Sequence, residues 1–225
     1  MSTVTLILGE SGTGKSASLR NLDPSKTLLI QAIKKPLPFK TGSKSGWAPY
    51  NKETKTGNII VSDSSEVIVR CLRGTEKPIV VVDDWQYILA NEFMRRSEER
   101  GFEKFTDIGR HAWDVLTAAA KYGGSSRRVY ILAHTQSDEF GRTKIKTIGK
   151  LLDEKITVEG MVTICLRTSV TDGEYRFSTQ NNGLDTVKAP MGMFNSQWIE
   201  NDLKAVDDAI VSYYEIEETA TAEAA

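Results

Sequence analysis

Nowhere in its 225 residues does this chain hold the roughly 18 consecutive apolar side chains that a membrane-crossing helix needs, so no span and no membrane partner are predicted. Cysteine is equally scarce. Cys71 and Cys165, the only two, lie far apart in apolar segments; this excludes a disulfide framework or a cysteine metal cluster and predicts two reduced core thiols. An excess of either charge is also missing: 29 Lys and Arg stand against 30 Asp and Glu, a net charge of -1. The whole-molecule field therefore offers a polyanion no attraction, and any nucleic-acid contact must come from a local basic patch. Met1-Ser2-Thr3 runs into an apolar segment without a basic flank, from which no targeting peptide and a cytoplasmic location are expected. Internal repeats are absent. With 40% hydrophobic and 26% charged residues, the composition suits one ordinary α/β domain, expected over residues 1–214. The acidic, alanine-rich stretch 215–225 has little to bury and is expected to be a disordered tail.

What the chain does have is a glycine-rich phosphate-binding pattern. Gly9-Glu10-Ser11-Gly12-Thr13-Gly14-Lys15-Ser16 fits G-x-x-x-x-G-K-[ST], whose glycines let the backbone wrap an anion so that several N–H groups converge on its oxygens. Val4 to Leu8 before it reads as a buried strand and Lys15 to Asn21 after it as a helix, which is the context the pattern requires. Lys15 is placed to reach the outer phosphates of ATP, and the Ser16 hydroxyl to complete the coordination of Mg²⁺. A chance glycine turn would match in roughly one chain in a hundred at ordinary residue usage.

Short apolar runs at Thr27 to Ile30, Ile59 to Val61, Ile79 to Val82, Val129 to Ala133 and Val162 to Leu166 alternate with helical patterns at Ser64 to Leu72, Trp85 to Met94 and Phe105 to Lys121. This predicts a mostly parallel central sheet with helices on both faces. Thr171-Asp172-Gly173 is a turn sequence, so Glu174 to Ser178 is expected to form a late β-hairpin with the run before it. Asn201 or Asp202 can cap a last helix whose Leu203, Val206, Ile210 and Tyr214 make one apolar stripe. Residues 34–55 form an irregular stretch with Lys34, Lys35, Lys40, Lys44, Lys52 and Lys55 against a single acid, Glu53.

The run Pro78 to Val82 ends in Asp83-Asp84, as expected of a second strand beside the glycine-loop strand that delivers a carboxylate to the metal. Asp83 is the candidate metal ligand, with Ser16, and Asp84 its neighbour. Beyond Val129 to Ala133, His134 and Gln136 are candidates for sensing the outer phosphate; a polar strand end facing solvent is the plainer alternative.

The order of these three strands resembles the RecA-like P-loop NTPase core. It looks more closely like the phage-encoded Sak-type single-strand annealing ATPases, which keep that core alone. The resemblance covers most of the chain, although only the glycine loop is a specific motif. It implies homo-oligomers, as rings or filaments, with ATP between subunits, single-stranded DNA as a ligand, and a single-strand-binding protein as a partner. It also implies a DNA-contacting loop after the sensor strand, here Ser137 to Lys150, with Phe140 for base stacking and Arg142, Lys144, Lys146 and Lys150 for phosphates. Arg95 and Arg96 are weaker DNA candidates, diluted by acids. Arg176 and Lys188 are candidates for reaching a neighbour's phosphates.

The chain departs from that pattern after Thr27 to Ile30. Where RecA-like enzymes carry a catalytic glutamate, it reads Gln31-Ala32-Ile33-Lys34-Lys35. Gln31 can position a water but cannot take its proton, which predicts slow hydrolysis unless Asp84 or Glu10 substitutes. An annealing module with ATP as a structural ligand, a helicase loader, a packaging motor and a small-molecule kinase are the alternatives.

Overall fold

Buried on both faces, a parallel strand reads as an unbroken aliphatic run rather than an alternation. Four segments of this kind build the centre of the sheet: β1 (Thr3–Leu8), β2 (Thr27–Gln31), β4 (Ile79–Asp83) and β5 (Arg128–Ala133). This is a computed structural model; it describes residues 1–42 and 44–217. Most of the predicted tail, 218–225, lies outside the described residues.

The main sheet has eight strands in the order β10-β9-β8-β1-β5-β4-β2-β3, where β3 is Ile59–Val61, β8 Ile164–Thr171, β9 Glu174–Ser178 and β10 Trp198–Glu200. Pairing is parallel from β8 through β3 and antiparallel only at the β8-β9-β10 edge. Asp172 and Gly173, both at positive φ (53° and 79°), make the two-residue turn between β8 and β9, a geometry that glycine and aspartate accept more readily than most residues.

Period-two alternation divides the strand side chains between two cores. Leu6, Leu8, Ile30, Val80, Val82 and Ile131 face one side with the helices α1 (Ser65–Gly74), α2 (Gln86–Arg95) and α3 (Glu103–Lys121). Ile7, Leu29, Val81, Leu132, Ile164 and Leu166 face the other with Leu19 and with Leu203, Val206 and Ile210 of α4 (Leu203–Tyr213). The predicted mostly parallel sheet with helices on both faces and a late hairpin is thus present.

Several elements differ from expectation. The strand carrying Asp83 does not lie beside β1: β5 is inserted between them, so the His134 end emerges between the glycine loop and the acid pair. The helix after the glycine loop is a six-residue 3-10 segment, Ser16–Asn21. It ends at Leu22, whose ψ of 143° is extended, and Asp23-Pro24 just beyond bars a longer helix, because the residue before proline avoids helical angles. The late strand begins at Ile164 rather than Val162. Asp202 is the cap of α4, its side chain accepting from the Lys204 N–H, whereas Tyr214 lies past the helix end and is 41% exposed, off the predicted stripe. The segment expected as a DNA loop contains a small antiparallel ribbon, β6 (Thr135–Ser137) with β7 (Thr143–Ile145). Among the described residues, no helix is long and apolar enough to cross a membrane.

Candidate functional site

At the carboxyl end of β1 the chain turns through Gly9 to Ser16. The Gly9 N–H donates to the Ala133 carbonyl at 3.2 Å, which anchors the loop to β5. Thr13 donates its hydroxyl to the Glu10 carbonyl at 2.7 Å and shares a hydrogen bond with the Thr168 hydroxyl at 2.6 Å. Two glycines are obligatory on geometry. A Cβ on Gly9 would stand 1.9 Å from Thr168 Oγ1, and Gly14 sits at φ 95° with Tyr175 packed 2.8 Å from where its Cβ would be. Glu10, Ser11 and Gly12 are exposed on the rim.

Lys15 is the buried charge of the loop, 5% exposed, with Nζ donating to the carbonyls of Gly9 and Glu10 at 2.8 Å each. Burial lowers its pKa to about 8, against the opposing pull of Asp84 and Asp83. Ser16 donates its hydroxyl to Asp83 at 3.0 and 3.1 Å from the two carboxylate oxygens. The glycine loop and the acid at the end of β4 therefore meet although their strands are not neighbours.

Asp83 is fully buried, and burial, reinforced by the negative charge of Asp84, raises its pKa to about 6. Its neighbour behaves oppositely. Asp84 sits at φ 63°, a left-handed angle that swings its carboxylate into the cleft as the chain leaves β4 for α2. Burial acts to raise its pKa too, but hydrogen bonds from His134 and Lys35 outweigh it and hold the group at about 2. His134 Nε2 lies 3.4 Å from Asp84, and Lys35 forms an ion pair with Asp84 while standing 3.8 Å from Asp83.

These groups line a cleft of 390 Å³ whose walls include Ser11, Gly12, Gly14, Lys15, Ser16, Lys35, Asp84, His134 and Tyr175. Its size lies within the range of small-molecule sites. A larger cavity of 810 Å³ is bordered by Met1, Ser2, Thr163 and Ile216; none of the groups just described lines it.

Two sequence candidates stand elsewhere. Gln31 is 4% exposed and donates its amide to the Lys35 carbonyl at 3.2 Å, outside the cleft wall. Gln136 donates to Asp153 at 2.9 Å, on the β6–β7 ribbon and away from the loop. Phe140, at the ribbon tip, is 75% exposed, and Arg142, Lys146 and Lys150 are exposed. Lys144 is instead tied to Asp153 at 2.7 Å, and Lys150 lies 3.9 Å from Glu154. Arg95 pairs with Asp63, and Arg96 with Glu92, Glu99 and Asp107, as on a solvated helix face. Arg176 pairs with Glu174, and the Lys188 backbone bridges Cys165.

Lys35, Thr168 and Tyr175 were not singled out as site residues in the sequence. Lys35 is the one with a legible signal, a cation directly after the strand where an acid was sought.

No protein-family model matches the chain, and no curated protein matches it. Among solved structures it is similar to a KaiC-like protein from the hyperthermophilic archaeon Pyrococcus horikoshii OT3, at 14% identity over 78% of this chain and 76% of that one, with a TM-score of 0.44. The chain's own strand order shows a mostly parallel α/β sheet flanked by helices on both faces, with the glycine loop at the carboxyl end of β1.

Proposed function

We propose that the chain binds ATP with Mg²⁺ in the cleft at Gly9 to Ser16, hydrolyses it slowly, and couples that site to single-stranded DNA held at the β6–β7 ribbon. The observation that carries the nucleotide reading is the Ser16–Asp83 hydrogen bond: a loop hydroxyl and a buried carboxylate are brought together from separate elements at the mouth of a glycine turn.

The donors present fit the ions. Magnesium takes hard oxygen ligands and retains water and phosphate oxygens, and here a hydroxyl and a carboxylate are adjacent. Among the described residues no cluster of three or more His, Cys, Asp or Glu could hold a metal unaided, which suits a metal held jointly with a nucleotide. When bound, Mg²⁺ would neutralise charge on the transferring phosphoryl oxygens. Lys15 would exchange its carbonyl partners for phosphate oxygens, the loop N–H groups would hold the chain of phosphates, and Ser16 and Asp83 would ligate the metal.

Turnover is a separate matter. A general base needs a pKa near the working pH, and Asp84, held at about 2, accepts a proton poorly. Gln31 carries no proton-accepting carboxylate and is occupied by Lys35. Binding with slow hydrolysis is the reading this favours. The DNA half rests on the exposed Phe140 at the ribbon tip and on the exposed Arg142, Lys146 and Lys150 that follow it in the chain; base stacking on one aromatic is worth about 1 to 3 kcal/mol. Assembly into a ring or filament, annealing of complementary strands and a single-strand-binding partner extend this reading.

ATP hydrolysis by the purified protein, with and without single-stranded DNA and with Lys15→Ala as control, tests it. Stimulation by DNA that the variant abolishes supports a coupled ATPase. Failure of wild type to bind ATP would sink the nucleotide reading, and binding without any DNA response would leave a nucleotide-binding module with ATP as a structural ligand.

A further inference from the structure

Two adjacent carboxylates meet here: Asp84, 3% exposed, lines the cleft, and Asp83, fully buried, accepts from the Ser16 that lines it. Ionised side by side they repel, and a buried charge needs a partner of opposite sign. Lys15 does not meet this need directly, since its Nζ donates to the carbonyls of Gly9 and Glu10. His134 reaches only Asp84, at 3.4 Å. Lys35 is the cation that meets both acids, paired with Asp84 and 3.8 Å from Asp83.

Its mounting is suited to movement of the head and not of the anchor. The Gln31 amide holds the Lys35 carbonyl, and the Ala32 N–H donates to the Asp83 carbonyl at 3.1 Å, so the backbone on either side is fastened to the floor it serves. Pro36 follows directly, which confines Lys35 to extended angles. The four-carbon stem remains free to turn, and its side chain is 37% exposed toward the cleft that Lys15 and Ser16 also line.

We propose that Lys35 is a tethered counter-ion for the Asp83–Asp84 pair, which a divalent cation displaces and which then turns its ammonium onto the phosphates of bound nucleotide. This rests on the reading of the cleft as an ATP site. A lysine and a divalent cation within 4 Å of one carboxylate repel, so the two compete for Asp83 while both favour the phosphate chain. Lys35 thus opposes the metal before nucleotide arrives and assists the nucleotide once it is there.

The test uses the full chain and two probes that do not involve turnover. Mn²⁺ alone, titrated and followed by its electron paramagnetic resonance signal, should bind Lys35→Met about twofold to fivefold more tightly than wild type, the scale of one partly exposed ion pair. ATP in EDTA, measured by displacement of a fluorescent analogue, should bind the same variant more weakly by a similar factor. Lys35→Arg keeps the charge and should stay near wild type in both. A lysine needed only for folding would weaken both ligands or neither, so a Mn²⁺ affinity that is unchanged or reduced in Lys35→Met overturns the proposal, as does an unchanged affinity for metal-free ATP. Should wild type bind no ATP while Lys35→Met still gains Mn²⁺ affinity, the nucleotide reading and the phosphate half of the proposal fall and the counter-ion half stands.

Discussion

The molecule buries aspartates both on the α4 side of the sheet and at the carboxyl end of β4, and treats them differently. On the α4 side of the sheet, Asp207 is 2% exposed and receives two hydrogen bonds from Arg128, at 2.9 and 2.8 Å, and a third from the Tyr130 hydroxyl at 2.5 Å. Arg128 is itself 1% exposed and also donates to the Ser126 carbonyl at 2.8 Å. Burial, with the negative charge of Asp207, keeps the Tyr130 phenol protonated far into alkaline pH. At the carboxyl end of β4, Asp83 is just as buried but, among the described residues, has only the Ser16 hydroxyl as a side-chain hydrogen-bond donor, a like charge as its sequence neighbour, and a cation 3.8 Å away. The first acid is satisfied and locks α4 to the sheet. The second has less positive charge and fewer donors against it than the first.

The largest expected effect comes from breaking the satisfied cluster. Asp207→Ala strands the buried Arg128 guanidinium and should cost about 3 to 5 kcal/mol of unfolding free energy in a urea titration. A loss below about 1 kcal/mol would mean that water reaches Arg128 and that the contrast between the regions is smaller than its geometry suggests.

Asp83→Asn should have the opposite sign. An acid whose folded pKa is raised binds its proton more tightly in the native state, so ionising it costs stability as pH rises from about 4 to about 6. Neutralising it should therefore stabilise the nucleotide-free protein at pH 8 by about 1 to 3 kcal/mol, with the gain vanishing near pH 4. If the cleft takes Mg-ATP as proposed, the same variant should lose the thermal shift expected of wild type with that ligand. Destabilisation at pH 8 would show that Lys35 and Lys15 already satisfy Asp83.

Asp84 sharpens the comparison within a single dipeptide. Its folded pKa is lowered, so its ionised form contributes stability that is present above about pH 4 and lost as pH falls toward 2. Asparagine tolerates the left-handed angle at this position, so Asp84→Asn isolates the charge from the backbone. It should cost about 1 to 2 kcal/mol at pH 7. Equal effects of the same sign at Asp83 and Asp84 in melts at pH 8 would refute the assignment of opposite roles.

The sequence made the satisfied parts of this fold easier to read than the unsatisfied ones. The aliphatic runs of β1, β2, β4 and β5 were legible to within a residue or two because a strand buried on both faces has no alternative pattern. The glycine loop was legible because its chemistry demands adjacent residues. Asp83 and Ser16 could be paired by role, but not the insertion of β5 between their strands, since spacing along the chain does not reveal a crossover. Lys35 is legible as a cation shortly after the strand where an acid is sought, but among six lysines of an aperiodic stretch nothing marks its partnership with Asp84, which spans 49 positions. Gln31 and Gln136 were chosen for their position after a strand, and their amides instead serve neighbouring groups. The β6–β7 ribbon is not legible in the sequence, because strands of three residues are too short to carry a hydrophobic period.

The smallest expected effect is on that ribbon, where the same contrast recurs at the surface. Lys144 is held by Asp153, whereas Lys146 is exposed and no ion pair to it is seen among the described residues. If DNA lies along the ribbon, Lys146→Ala should remove one phosphate contact and flatten the plot of log affinity against log salt by about 0.7. Lys144→Ala should change the slope less, because a lysine already paired with a carboxylate must give up that bond before it can displace a counter-ion from the strand. Asp153→Asn then becomes informative: freeing Lys144 should steepen the slope toward the value of one further contact. Equal slopes in wild type, Lys146→Ala and Asp153→Asn would take the ribbon out of the DNA path while leaving the reading of the Lys15 cleft untouched.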